Sequence, residues 1–290
     1  MRAFLVVTLL CLAAFDAASA ELAASVEGKQ VSVTVDGKLF TAYKFDGGQK
    51  YPYFWPVIGP ASGKSVTTET SEPYPHHHSL FFGCDHVNGA NYWQDVNERG
   101  QILSQGPNVI EQGERVVIED VCLWKQPEKE PVIRDTRRIT ITAPDEKTRL
   151  IDFEITLDPL VDVKVTKTNH SLFSARMVPE LSVKAGGTLV NAQGAKSEAG
   201  TFEVESPWCD YYGTRGGLTE GLAILQHPSN RWFPSKWFTR DYGFFSPTPL
   251  NWEELDLPKG QTLTLKYRVV VHEGNTQTAR IGERFAAYAN

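Results

Sequence analysis

The sequence predicts an all-β chain, a large antiparallel two-sheet sandwich with a short C-terminal helix. Three observations predict it. Period-two alternation of apolar residues recurs along most of the chain, turn residues punctuate the runs, and helical spacing is strong only near the end. In QVSVTVDGKLFTAYKF, Val31, Val33 and Val35 share one face while Ser32 and Thr34 take the other, and Asp36-Gly37 supplies a tight hairpin turn. RVVIEDVCLW and RRITIT are the next strand candidates. RLIDFEITLD turns Ile151, Phe153, Ile155 and Leu157 inward, and LVDVKVTK repeats the pattern at Val161, Val163 and Val165. TFEVE and GLAILQ are shorter candidates. TLTLKYRVVVH alternates through Leu263, Leu265, Tyr267, Val269 and Val271. After Asn275, read as an N-cap, Ile281, Phe285 and Tyr288 recur at helical spacing.

The N-terminus is predicted to be a signal peptide over residues 1–20. Arg2 precedes the apolar run Phe4 to Phe15, and Ala18-Ser19-Ala20 forms a small-residue exit. That run is too short to span a bilayer, and no later stretch is long and apolar enough. Residues 21–290 are expected to form a single sandwich domain in the periplasm or outside the cell, since no Ser-, Pro- or Gly-rich linker divides them. An apolar fraction of 41% supports a substantial core, and a net charge of −6 gives no electrostatic reason for nucleic acid as a partner. Past the leader only Cys84, Cys122 and Cys209 remain, too few for a disulfide framework and best read as buried thiols.

Residues 51–99, 168–180 and 207–252 break the alternation and concentrate unusual side chains, as functional loops do. The first contains PYPHHHSLFFGCDHVNGANYW. On an extended chain, His76 and His78 would share one side and His77 the other. Two readings compete there. Histidine can exchange protons near neutral pH when a carboxylate holds it. Alternatively His76, His78 and His86, with His227 from the third segment, could ligate zinc, copper or iron, although no fixed-spacing metal motif is present. Asn91 and Trp93 are ligand-contact candidates. The second segment, TNHSLFSARMVPEL, offers His170 and Glu180 as acid/base partners, with Arg176 expected in a salt bridge. The third supplies Trp208, Asp210, His227, Asn230, Trp237, Arg240 and Tyr242. Flat rings pack on the apolar faces of a sugar, while Asp, Asn and Arg fix hydroxyls or an anionic substituent.

YPYFWPVIGP, PHHHSLFFGCDHVNGANYW, WCDYYG, HPSNRWFPSKWFTRDYGFFSPTP and LTLKYRVVVHEG together resemble the bacterial family labelled "methane oxygenase PmoA". The resemblance covers nearly all of residues 21–290. Its P-H-H-R or P-H-H-H element matches Pro75–His78, with His78 standing where many members have Arg. Its G-x-x-x-V-N-G-x-x-[FY]-W element matches Gly83–Trp93. H-P-x-N matches His227–Asn230, and W-x-x-R-D-Y-G matches Trp237–Gly243. The label implies no activity, because the methane monooxygenase subunit of that name resembles a bundle of membrane helices. The resemblance implies a β-sandwich similar in outline to the galactose mutarotase supersandwich. TNHSLF is similar to the Asn-His element of those enzymes, with Glu180 as the implied partner base.

The resulting expectation is an exported carbohydrate-active protein. Its ligand would be a small molecule or oligosaccharide lying in a cleft lined by Trp93, Trp208, Trp237 and Tyr242. His77 or His78 would exchange protons, paired with Asp210 or Glu180. Asn91, Asn230 and Arg240 would fix polar substituents. Epimerisation, elimination and hydrolysis all use an acid and a base in this way. This reading needs no cofactor, and a divalent metal belongs to the alternative. A non-catalytic glycan-binding module is the third reading.

Overall fold

A computed structural model describes residues 20–290, so the expected leader at 1–20 lies almost wholly outside the described residues. Two antiparallel sheets dominate. The front sheet runs, in spatial order, Leu22–Glu27, Gln30–Val35, Lys38–Lys44, Tyr53–Val57, Leu80–Cys84, Ser171–Arg176, Phe244–Pro247 and Trp237–Thr239. The back sheet runs Thr188–Asn191, Trp208–Arg215, Leu218–Gln226, Leu263–Glu273, Thr148–Pro159, Ile133–Asp145, Val116–Lys125 and Gln101–Ser104, with Asn108–Glu111 also pairing on Val116–Lys125. This is the two-sheet sandwich that the alternation predicts.

Local chemistry explains the pairing. Asp36 and Gly37 both have positive φ, the geometry of a two-residue hairpin turn, and set Val35 opposite Lys38. Val31, Val33 and Val35 are buried, as are Ile151, Phe153, Ile155 and Leu157 and the whole inward series from Leu263 to Val271. The two inner faces meet through rings. Phe153 of the back sheet lies 5.0 Å from Phe173 of the front, and Phe173 stacks on Tyr267 at 5.0 Å. The same interior holds charge. Arg137 makes a two-pronged pair with Asp135, Trp124 Nε1 donates to Asp135, and Tyr43 donates to Asp120. Each buried charge there has a partner, which offsets its desolvation.

Some expectations shift. Val161 is exposed, and only Val163–Val165 forms a strand, paired with Leu255–Leu257 in a separate ribbon. TFEVE is not a strand, because Thr201 ends the helix Ser197–Thr201. The C-terminal helix spans Ile281–Ala289. Asn275 does not cap it. Its Oδ1 instead accepts the backbone N–H groups of Gln277 and Thr278 in the preceding turn. Helix and turn cover a second apolar patch on the outer face of the back sheet, made of Leu150, Trp208, Ala223, Leu225 and Val270. Cys84, Cys122 and Cys209 are free and buried. Among the described residues no helix is long and apolar enough to cross a membrane.

Candidate active site on the outer face of the front sheet

The outer face of the front sheet is covered by side chains rather than bare. Phe81, Ser174, Arg176 and Phe244 project from it, since Phe81 pairs with Ser174 and Arg176 with Phe244 across neighbouring strands. Three loops fold over them: Ser71–Ser79, Asp85–Gln94 and the Arg240–Gly243 turn. Trp93 packs edge-on against Phe81 at 4.8 Å and near Phe244 at 6.3 Å. His77 stacks on Phe244 at 4.4 Å and on Tyr74 at 5.3 Å. Tyr74 in turn lies 5.2 Å from Tyr242.

Strand pairing creates the central pair of groups. Ser171 sits opposite Cys84, and the Asp85 N–H donates to the His170 carbonyl. The two strand ends therefore deliver Asp85 and His170 side by side, with His170 Nδ1 3.0 Å from Asp85 Oδ2. The carboxylate decides the tautomer: Nδ1–H donates to Asp85 and Nε2 is left as the basic nitrogen. Gln94 Nε2 also lies 3.0 Å from His170 Nδ1. The His170 ring lies over Trp93 at 5.8 Å, and the His76 ring stands 6.3 Å away.

Unpartnered polar atoms gather at this face. Among the described residues eleven buried side-chain N or O atoms have no partner in the protein, and six belong here: His77 Nδ1, Asp85 Oδ1, Trp93 Nε1, Ser174 Oγ, and Nε and Nη1 of Arg176. A buried polar atom left alone costs about 1–3 kcal/mol, so this concentration makes the face the candidate site. Burial pushes His77 down to about 2, helped by His76, Arg176, His170 and His78. Burial likewise lowers His76 to about 4, with His170 and His78 contributing. Both rings are thus neutral at physiological pH. Burial, reinforced by Tyr74, lifts Tyr242 to about 12. A cavity of about 500 Å³, lined by Ser71, Glu72, Tyr74, Arg176, Lys184 and Tyr242 among others, opens beside these groups.

Several expected site residues lie elsewhere. His78 does not stand with His76: Ser79 has φ 53, which breaks the pleat at this point, and His78 turns to Glu69 O at 3.1 Å and stacks on Tyr53. Asp210 is on the outer face of the back sheet, bonded to His272 Nε2 at 2.9 Å and Thr276 Oγ1 at 2.7 Å. It does not meet His77. Glu180 is exposed, and its nearest charge is Arg215 at 3.7 Å. Trp208 lies under the C-terminal segment, and His227 meets Tyr288 edge-on there. Trp237 is fully buried and donates its indole N–H to Ser206 O, so it is core rather than a sugar platform. Asn230 clamps the backbone of Lys266 from both sides, and Asn91 accepts the N–H groups of Trp93 and Gln94, shaping the loop. Arg240 is paired with Glu198 and lies on Phe238 at 4.0 Å. Of the expected residues, His76, His77, His170, Trp93 and Tyr242 come together. Asp85 and Arg176 join them. Asp85 follows Cys84 in the first loop-rich segment, whereas Arg176, expected in a salt bridge, has none among the described residues.

The expected metal set does not assemble. His86 points away to Lys167 O, His227 is on the back sheet, and among the described residues no three His, Cys, Asp or Glu side chains converge on a common centre.

Comparison with known proteins gives a family and distant structural likenesses. A heparan sulfate lyase, HepC, from Pedobacter heparinus matches at 10% identity and a TM-score of 0.39, covering 89% of this chain and 36% of that one. A candidate aldose 1-epimerase from Klebsiella pneumoniae matches at 9% identity and 0.39, covering 93% and 88%. An alpha-galactosidase from Lactobacillus brevis matches at 8% identity and 0.31, covering 86% and 39%. The chain thus spans little more than a third of the lyase. These superpositions are loose, and no residue role is transferred from them. A search of curated proteins found no match. Nothing in the comparisons supports a relationship to PmoA. A family model matches residues 30–286, nearly the whole described chain, and on that match the protein belongs to the family of unknown function DUF6807.

Proposed function

We propose that this protein is carbohydrate-active and uses the outer face of the front sheet for acid/base chemistry on a sugar. The observation that carries the reading is the Asp85–His170 pair, seated against Trp93 and beside two further neutral imidazoles. A carboxylate-held histidine is a general base, and its Nε2 is the nitrogen that would take a proton. Tyr74 and Tyr242 provide flat apolar surface of the kind that packs on sugar faces, while Trp93 is buried beneath His170 and supports it. His77 or His76, both neutral, would offer an N–H hydrogen bond to the substrate on the other side of the reacting carbon rather than a proton. The proton transfer would serve an epimerase, lyase or hydrolase equally. Asp85 takes the place first expected of Asp210 or Glu180. The basic, apolar and small-residue pattern of the first twenty residues supports export, with residues 21–290 acting as one domain.

The test is a panel of mono- and oligosaccharides incubated with the protein and followed by NMR for both binding and chemical change. Turnover that disappears in His170→Ala and Asp85→Asn supports the reading. Binding at this face without any chemical change identifies a glycan-binding module instead. Turnover unaffected by either substitution removes these residues from the chemistry.

A further inference from the structure

Arg176 is 2% exposed, yet among the described residues no carboxylate pairs with it. Only Nη2 has a protein partner, the Ser71 hydroxyl at 3.2 Å, while Nε and Nη1 have none. Tyr242 covers one face of the guanidinium at 4.3 Å. The other buried arginine, Arg137, is held by two bonds to Asp135. The contrast is informative: a buried cation is expensive unless an anion compensates it, and arginine's fixed fork of donors suits an oxyanion. The strand Ser171–Arg176 fixes the Arg176 backbone, and Arg176 lines the cavity of about 500 Å³. Lys184 and Glu72 also line that cavity, one charge of each sign, so Arg176 leaves its lining with a net positive charge.

The geometry points to an anionic sugar as the ligand, its carboxylate or sulfate ester received by Arg176 while the ring lies against Tyr74 and Tyr242. This inference rests on the acid/base reading above and names its substrate class. The oxyanion accepts N–H bonds from Nε and Nη1, satisfying donors that the protein itself leaves unmet. Tyr74 and Tyr242 continue the aromatic surface toward His77 and the Asp85–His170 pair, so a sugar anchored by its charge would extend its ring toward the basic nitrogen.

Calorimetric titration of the full chain with three probes tests it: galacturonic acid oligosaccharides, galactose oligosaccharides of the same length, and O-sulfated galactose oligosaccharides. The expected result is binding of at least one acidic probe roughly 10- to 100-fold tighter than the neutral one, since a charge-assisted bond contributes that much. Which acidic probe wins separates carboxylate from sulfate. Arg176→Gln and Arg176→Lys are made together, with folding checked by circular dichroism. The glutamine variant should lose the preference for acidic probes while keeping weak neutral binding, and the lysine variant should keep part of it. Equal affinity for neutral and acidic probes, dependent on His170 and indifferent to both Arg176 variants, overturns the anionic substrate and leaves the acid/base site standing. Failure of all three probes to bind the wild-type protein overturns both.

Discussion

His170 Nδ1 lies 3.0 Å from Asp85 Oδ2, joining the end of one front-sheet strand to the start of the next. This bond fixes which imidazole nitrogen is a base. Long-range proton–nitrogen NMR of the wild-type protein should therefore show His170 protonated on Nδ1. Asp85→Asn should release that tautomer and lower turnover about 10²- to 10⁴-fold, with secondary structure unchanged. A His170 already protonated on Nε2 in the wild-type protein would contradict the assignment.

The buried histidines make stability depend on pH. His77 is held near 2 in the fold, against about 6.5 in an unfolded chain. Between those values the unfolded state binds the proton and the native state does not, so stability rises with pH. The contribution is full above about pH 6.5 and is lost as acid drives the pH below it. His76 acts in the same direction, with folded value about 4, but is half exposed and contributes less. Urea unfolding at pH 7 and pH 5 should show the decline. His77→Phe, which preserves stacking between Tyr74 and Phe244, should flatten it. A pH slope identical to wild type in that variant would show that His77 is not the titrating group.

Asp210 has a structural duty. Its carboxylate accepts from Thr276 and meets His272, tying the C-terminal turn to the back sheet. Asp210→Ala should cost about 3 kcal/mol by leaving His272 buried without a partner. Hydrogen exchange should quicken in Ile281–Ala289 first, and sugar binding should persist. Loss of sugar binding with stability intact would return Asp210 to the site.

Trp237→Ala should likewise act on the fold. The ring is buried beside Phe245, so its removal leaves a cavity costing about 3–5 kcal/mol. Thermal denaturation reads this directly. A variant of wild-type stability with weakened sugar affinity would contradict the core placement.

Much of the fold was legible because burial on one face of a strand imposes period two. Val31 to Val35, Ile151 to Leu157 and Leu263 to Val271 all obey it. The site was only partly legible. His170, His77 and Trp93 stand out by residue type, but Asp85 and His170 become neighbours only through the Cys84–Ser171 register, eighty-five positions apart in sequence for the side chains concerned. Alternation also fails at Ser79, whose left-handed backbone separates the three histidines from the strand Leu80–Cys84, so strand parity does not decide where they point. Trp237 and Trp208 misled because aromatic richness marks buried cores as readily as sugar platforms. Arg176 was hidden for the opposite reason. Sequence does not show whether a strand arginine meets a carboxylate, and among the described residues this one has none.

The most direct test of the account is a crystal structure with a bound oligosaccharide. The account predicts a sugar ring against Tyr74 and Tyr242, with one of its atoms within about 3 Å of His170 Nε2. A sugar bound instead beside Trp208 and His227, on the outer face of the back sheet, would contradict it.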